Sequence, residues 1–100
     1  KLLISLGDCA VNGNVPAMRN AFKLEAVMAR AYEETATLQP QRPTVGLPAL
    51  FDRVRPVHRV VDVDVFVPGY APPADAIWYV LSELIAGRTP DPTRVTRFGA

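Results

Sequence analysis

Cys9 is the only thiol in the sequence, and it lies in a short turn formed by Gly7, Asp8, Cys9 and Ala10. A cysteine thiolate is both a nucleophile and a soft metal ligand, so redox or metal chemistry would be placed in this turn. A lone cysteine is, however, more often a small buried apolar residue than a ligand. A single cysteine also excludes an internal disulfide and any complete thiolate metal site built by this chain alone.

Three other polar side chains are candidates for chemistry. His58 could assist Cys9 as a general base, but nothing in the sequence brings the two within hydrogen-bond reach, so a structural or surface histidine is favoured. Asp62 and Asp64 alternate with valines and therefore point to the same side of a strand. A polar strand face is a simpler explanation for this pair than a metal or acid-base site. No residue is assigned a catalytic role.

The composition limits the classes of partner. The chain has 100 residues, of which 49% are hydrophobic and 21% charged, as expected for one compact domain. A chain of this length buries only about 60–65% of its unfolded surface, which favours a subunit or fragment over an independent enzyme. The 11 basic and 10 acidic residues are scattered and give a net charge of +1, so neither nucleic acid nor a membrane is predicted as a partner.

The first residues and the cysteine content indicate the compartment. Residues 1–7 contain an apolar run that is too short to span a membrane and lacks a small-residue cleavage site. With one unpaired cysteine, a reducing, cytoplasmic location is predicted. The absence of an initiator Met before a strand-like segment predicts that the sequence starts inside a larger protein.

Hydrophobic periodicity predicts the elements that would position the turn. They are, in chain order, a buried strand at 2–6, a loop at 7–14, an amphipathic helix at 24–38, a linker at 39–46, a short helix at 47–54, an alternating strand at 60–67 and a helix at 73–86. The last helix has apolar residues over more than half its circumference, which predicts burial on more than one side. Strands joined by helical crossovers predict an α/β domain with a parallel sheet.

Two loops follow the predicted strands, at 7–14 and 67–73. Ligands of open α/β sheets bind beyond the carboxyl ends of the strands. Because parallel neighbours end at the same edge of a sheet, Cys9 and Tyr70 are predicted to lie at one edge.

Several segments in these regions carry a family resemblance. Residues 7–20 (GDCAVNGNVPAMRN) closely resemble the cluster loop in the small, iron-sulfur subunit of NAD-reducing nickel-iron hydrogenases. Residues 56–58 (PVH), 63–69 (VDVFVPG) and 72–75 (PPAD) followed by an apolar helix are similar to the same family, in the same order. More distantly, the loops resemble the cluster-bearing 20 kDa subunit of NADH:ubiquinone oxidoreductase.

The resemblance implies a flavodoxin-like domain that holds a 4Fe-4S cluster through four thiolates. It implies that residues 1–87 are the C-terminal portion of that domain, hence an incomplete one. Pro90, Pro92 and the scarcity of large apolar residues predict that 88–100 form an extended tail, which docks on something or stays mobile. Cys9 matches one metal ligand, and two others belong to an N-terminal half that this chain lacks. Gly7, Gly69 and Pro72 would shape the cofactor pocket.

The fourth ligand of the family follows the Pro-Gly of the second loop, where this sequence has Tyr70. A phenol is a harder and only weakly acidic substitute for a thiolate. An altered cluster, an absent cluster, an inactive copy and a single-codon error all remain open as explanations of Tyr70.

The function implied is that of an electron-transfer subunit with no complete catalytic site of its own. Its partners would be the hydrogenase large subunit, which carries out the hydrogen chemistry, and the NAD-reducing diaphorase subunits. The alternative is a cofactor-free binding or assembly module that keeps the fold and has lost cluster ligation through Tyr70.

Overall fold

Two short parallel strands form the sheet of the molecule. In the computed structural model, which describes residues 1–99, strand β1 spans Ile4–Leu6 and strand β2 spans Val65–Val67. They pair in parallel, with Ile4 opposite Val65 and Leu6 opposite Val67. The predicted α/β class with a parallel sheet is therefore confirmed.

Strand β2 begins five residues later than the alternating pattern predicts. Pro56 precedes a 3₁₀ turn at Val57–Arg59, and the amides of Val60 and Val61 both donate to the carbonyl of Val57, at 3.0 and 3.1 Å. Those amides are consequently unavailable for a strand ladder. Alternation of valines alone does not reveal this competing turn.

The chain divides into two compact units by its internal contacts. One unit comprises Lys1–Val15 together with the residues from Arg55 onward, and the other is Pro16–Val54. Both strands belong to the first unit. The boundary at residue 87 that the sequence predicts between a domain and a tail stays a prediction.

The Pro16–Val54 unit begins within a 3₁₀ helix at Val15–Ala21, and an α-helix follows it. Helix α2 spans Leu24–Ala29 and continues as a π-helical turn at Arg30–Glu34. The Thr35 hydroxyl donates to the carbonyl of Arg30 at 2.8 Å, at the point where the helix ends. The predicted helix therefore starts where expected but ends four residues early.

The predicted helix at 47–54 is wrong, because side chains from an earlier segment take its backbone groups. The Asn20 side-chain amide donates to the Val54 carbonyl at 3.0 Å and accepts from the Val54 amide at 2.6 Å. Arg19 donates to the Phe51 carbonyl at 3.0 Å. The Val54 amide is thereby unavailable to the Leu50 carbonyl, which would accept it in a helix over 47–54.

Helix α3, Ala74–Ile85, starts after the proline pair and is followed by Gly87, as the sequence predicts. The prediction that it is buried on more than one side is wrong. Ala76 and Val80 are buried, whereas Trp78 is 74% exposed and Ile85 87% exposed. A sheet of two strands offers α3 one narrow surface, so the apolar residues on its other faces remain uncovered within this chain.

This difference in burial predicts that two neighbouring substitutions in α3 change the free energy of unfolding by different amounts. Val80→Ala should lower the free energy of unfolding by about 2 kcal/mol, because it deletes two buried methyl groups and leaves a cavity. Trp78→Ser should change it by less than about 0.5 kcal/mol, since Trp78 is 74% exposed. Urea unfolding followed by circular dichroism measures both. A larger loss for Trp78→Ser than for Val80→Ala would contradict this arrangement of α3.

No helix among residues 1–99 is both long enough and apolar enough to cross a membrane.

Candidate functional site

The first loop turns directly from β1 into a short helix, so the loop predicted over 7–14 is wrong in part. Helix α1 spans Asp8–Asn12, and Gly7 precedes it with φ of 84°, a conformation that glycine adopts without steric cost. The Val11 amide donates to the Gly7 carbonyl at 3.0 Å. Cys9 lies in this single turn as a free, half-buried thiol.

The second loop leaves β2 through three buried residues, Val67, Pro68 and Gly69. Gly69 has φ of 132°, and a Cβ at this position would lie 2.7 Å from Cα of Pro72. Only glycine fits this close approach of backbone to backbone. The next residue, Tyr70, turns outward and is 58% exposed.

Hydrogen bonds join the two loops at the end of the sheet. The Gly7 amide donates to the Val67 carbonyl at 2.7 Å, and the Asp8 amide donates to the Gly69 carbonyl at 2.9 Å. In return, the Gly69 amide donates to Oδ1 of Asp8 at 2.7 Å. Cys9 directly follows Asp8, and Tyr70 directly follows Gly69. Both residues therefore lie at the same edge of the sheet.

The structure also brings together the other residues predicted to shape the pocket. Pro72 is half-buried, and its Cδ lies 3.6 Å from the position that a Cβ on Gly7 would take. Gly7, Gly69 and Pro72 thus surround the point where the two loops meet. Their role toward a cofactor stays a prediction.

Sequence reasoning missed the contribution of the C-terminal segment. The Thr96 hydroxyl, which is buried, donates to the Pro68 carbonyl at 2.7 Å, and the Gly99 amide donates to Oδ2 of Asp8 at 2.7 Å. A turn aspartate ordinarily bonds amides of its own loop, but the carboxylate of Asp8 accepts from two other segments. No local pattern signals these bonds, because they join residues 28 and 91 positions apart.

Two of the three remaining candidates, His58 and Asp64, have contacts that account for them, and Asp62 is exposed. The ring of His58 packs edge-on against Phe66, with centroids 5.6 Å apart. Asp64 accepts the Leu3 amide on Oδ2 at 2.8 Å and so holds the start of β1. Neither contact involves Cys9, and both are structural.

The donors of this site match one corner of an iron-sulfur cluster. Iron in such clusters is held by soft thiolates. The two loops provide the thiol of Cys9 and the phenol of Tyr70, and within residues 1–99 no three His, Cys, Asp or Glu side chains form a metal-binding group. Among the described residues, the thiol of Cys9 would therefore suit one ligand position of such a cluster, a role that stays a prediction.

Comparison with known proteins gives a consistent assignment. Residues 1–84 match the family model of the NADH ubiquinone oxidoreductase 20 kDa subunit. The chain is 44% identical to the delta subunit of the NAD-reducing hydrogenase HoxS of Cupriavidus necator, over 97% of this chain and 49% of that protein. It is 37% identical to a subunit of the F420-non-reducing hydrogenase of Methanothermobacter marburgensis, over 87% of this chain and 29% of that protein.

A solved structure agrees with these relatives. The crystal structure of a NAD⁺-reducing [NiFe]-hydrogenase in the H₂-reduced state contains a chain that superposes with a TM-score of 0.85 at 36% identity, over 98% of this chain and 57% of that one. The present chain spans half or less of the length of the Cupriavidus necator and Methanothermobacter marburgensis subunits. Since the family model covers most of the sequence, the chain belongs to the family of the NADH ubiquinone oxidoreductase 20 kDa subunit.

Proposed function

We propose that this chain is part of an electron-transfer subunit of a NAD-linked nickel-iron hydrogenase. In this proposal Cys9 is one ligand of a 4Fe-4S cluster near the active site of a large partner subunit. The observation that carries it is the pair of hydrogen bonds between Asp8 and Gly69, which places the Cys9 turn beside the second loop. The relatives that support it are named as hydrogenase subunits.

Each loop residue has a distinct task in this proposal. Gly7 turns the chain so that Cys9 leaves the end of β1, and Gly69 allows Pro72 and Thr96 to approach the backbone of the second loop closely. A 4Fe-4S cluster supplies one-electron transfer when it is bound. In this proposal the chain has no complete catalytic site, and the hydrogen chemistry belongs to the large subunit.

The partners proposed are the hydrogenase large subunit and the NAD-reducing diaphorase subunits, in the cytoplasm. The apolar surface of α3 supports association with further polypeptide, because Trp78, Leu81 and Ile85 recur at helical spacing and are exposed within this chain. No contact with nucleic acid or with a membrane is proposed.

One observation favours a second candidate function, a cofactor-free binding or assembly module of the same fold. Tyr70 occupies the position where the family resemblance implies the fourth thiolate, and it is 58% exposed. A phenol there does not replace a thiolate as an ordinary cluster ligand. In this alternative the fold and the partner surface remain, and electron transfer is lost.

Iron and sulfide analysis of the protein, purified without oxygen together with its partner subunits, separates the two functions. The electron-transfer proposal predicts bound iron, visible absorption, and the loss of both in Cys9→Ala. Tyr70→Phe is the matched control and should leave the iron content unchanged, since the exposed phenol is not a ligand. A colourless, iron-free protein that still binds the large subunit would instead establish the assembly module.

A further inference from the structure

The carboxylate of Asp8 is the most densely bonded polar group in the joined loops. Asp8 is only 4% exposed. Its Oδ1 accepts the Gly69 amide and its Oδ2 accepts the Gly99 amide, both at 2.7 Å. One side chain thus joins three segments that lie far apart in the sequence.

A second bond holds the same C-terminal segment. The Thr96 hydroxyl donates to the Pro68 carbonyl at 2.7 Å, next to Gly69. That hydroxyl oxygen is also 2.9 Å from the position that a Cβ on Gly69 would take. Residues 95–99 therefore lie against the second loop at two points, and Asp8 connects them to the first loop.

Hydrogen bonds of this kind are strong, and leaving them incomplete is costly. A hydrogen bond to a charged group is stronger than one between neutral groups, and a buried acceptor that loses its partner is left without solvation. A simple turn would not require a buried carboxylate with both oxygens occupied by distant amides. The position next to Cys9 makes the geometry of the thiol dependent on these bonds.

We propose that Asp8 is a positioning residue, which uses the segment 95–99 as a strap to fix the Cys9 turn against the second loop. The strap is then part of the cofactor pocket, although it contributes no ligand. This inference rests on the proposed electron-transfer function. It adds that the C-terminal segment determines where the thiolate of Cys9 stands.

Hydrogen exchange of the metal-free chain tests whether the strap is tied as proposed. Asp8→Asn keeps the size of the side chain and one oxygen acceptor. Its NH₂ group, which can only donate, would face the Gly99 amide, so the hydrogen bond from Gly99 is lost. Exchange at Gly99 should accelerate by about tenfold or more, the factor expected for loss of a bond to a charged group, and Gly69 should follow. Asp62→Asn, at an exposed aspartate of the same unit, is the control and should leave both amides unchanged.

A truncation after Thr96 serves if Asp8→Asn does not fold. It removes the Gly99 donor, retains Asp8, and should accelerate exchange at Gly69 and alkylation of Cys9. Unchanged exchange at Gly69 and unchanged alkylation of Cys9 in this truncated chain would overturn the inference. So would unchanged exchange at both amides in a folded Asp8→Asn protein.

The iron-loaded complex provides a readout that a merely structural residue would not affect. Asp8→Asn should retain iron but shift the electron paramagnetic resonance g-values of the reduced cluster, because hydrogen bonding around the ligand tunes the cluster. If Asp8→Asn loses iron while the clusters that remain bound give an unaltered electron paramagnetic resonance spectrum, Asp8 has no positioning role. An iron-free parent protein would refute the proposed function, and amide exchange and Cys9 alkylation would then decide the inference by themselves.

Discussion

Gly69→Ala is expected to destabilise the first unit by about 3 kcal/mol or more, because a methyl group there is both crowded and strained. The added Cβ would lie 2.7 Å from Cα of Pro72 and 2.9 Å from Oγ1 of Thr96. The φ of 132° is also one that residues with a side chain rarely adopt. Relief of the crowding would require moving Gly69 away from Pro72 and Thr96, which would disturb its hydrogen bonds to Asp8. Urea unfolding followed by circular dichroism measures the loss.

Gly87→Ala is the matched control for Gly69→Ala. Gly87 also has a positive φ, of 79°, but no atom lies within 4 Å of the position its Cβ would take. Its substitution should therefore cost only the conformational term, about 1 kcal/mol. Equal losses for the two variants would mean that the close approach at Gly69 does not constrain the loop.

Tyr70→Cys is expected to have the largest effect on cofactor content. The new thiol would follow Gly69 at the same edge of the sheet as Cys9, and a thiolate is the donor that iron-sulfur clusters select. If the proposed function holds, the iron and sulfide bound per chain should rise, because the two loops then offer two thiolates instead of one. Chemical iron and sulfide analysis after oxygen-free purification with the partner subunits measures the change.

A cysteine placed elsewhere controls for nonspecific iron binding. Tyr32 is also an exposed tyrosine, but it lies in the π-helical turn of the other unit. Tyr32→Cys adds one thiol without adding it to the second loop and should leave the iron content unchanged. If Tyr70→Cys gains no more iron than Tyr32→Cys, position 70 is not a ligand position.

The parts of the fold that the sequence predicts are those determined by local pattern. Helix α3 starts after the proline pair and is followed by Gly87, because these residues act on the backbone directly. The local pattern predicts a helix at 47–54, because the competing bond comes from Asn20, more than 30 residues away in the sequence. The exposure of Trp78 could not be predicted from the sequence either. Hydrophobic spacing identifies an apolar helix face but does not show whether another element covers it.

The candidate site was predictable to the same extent. Parallel strands end at one edge, so the meeting of the Cys9 turn with Gly69 and Pro72 follows from the sequence once the strands are recognised. The contact of the strap with the two loops cannot be predicted from the sequence in this way. A bond from Gly99 to Asp8 depends on the three-dimensional path of the whole first unit, and the residues involved have no distinctive spacing.

The bond between Asp8 and Gly99 also has a consequence for the order of events during synthesis. Contacts between residues close in sequence form early, whereas a contact spanning 91 positions must wait for the later residue to be made. The Pro16–Val54 unit is continuous in sequence and needs no such delay. We therefore expect the Pro16–Val54 unit to fold first during synthesis, and the bond from Gly99 to Asp8 to form only after Gly99 has left the ribosome.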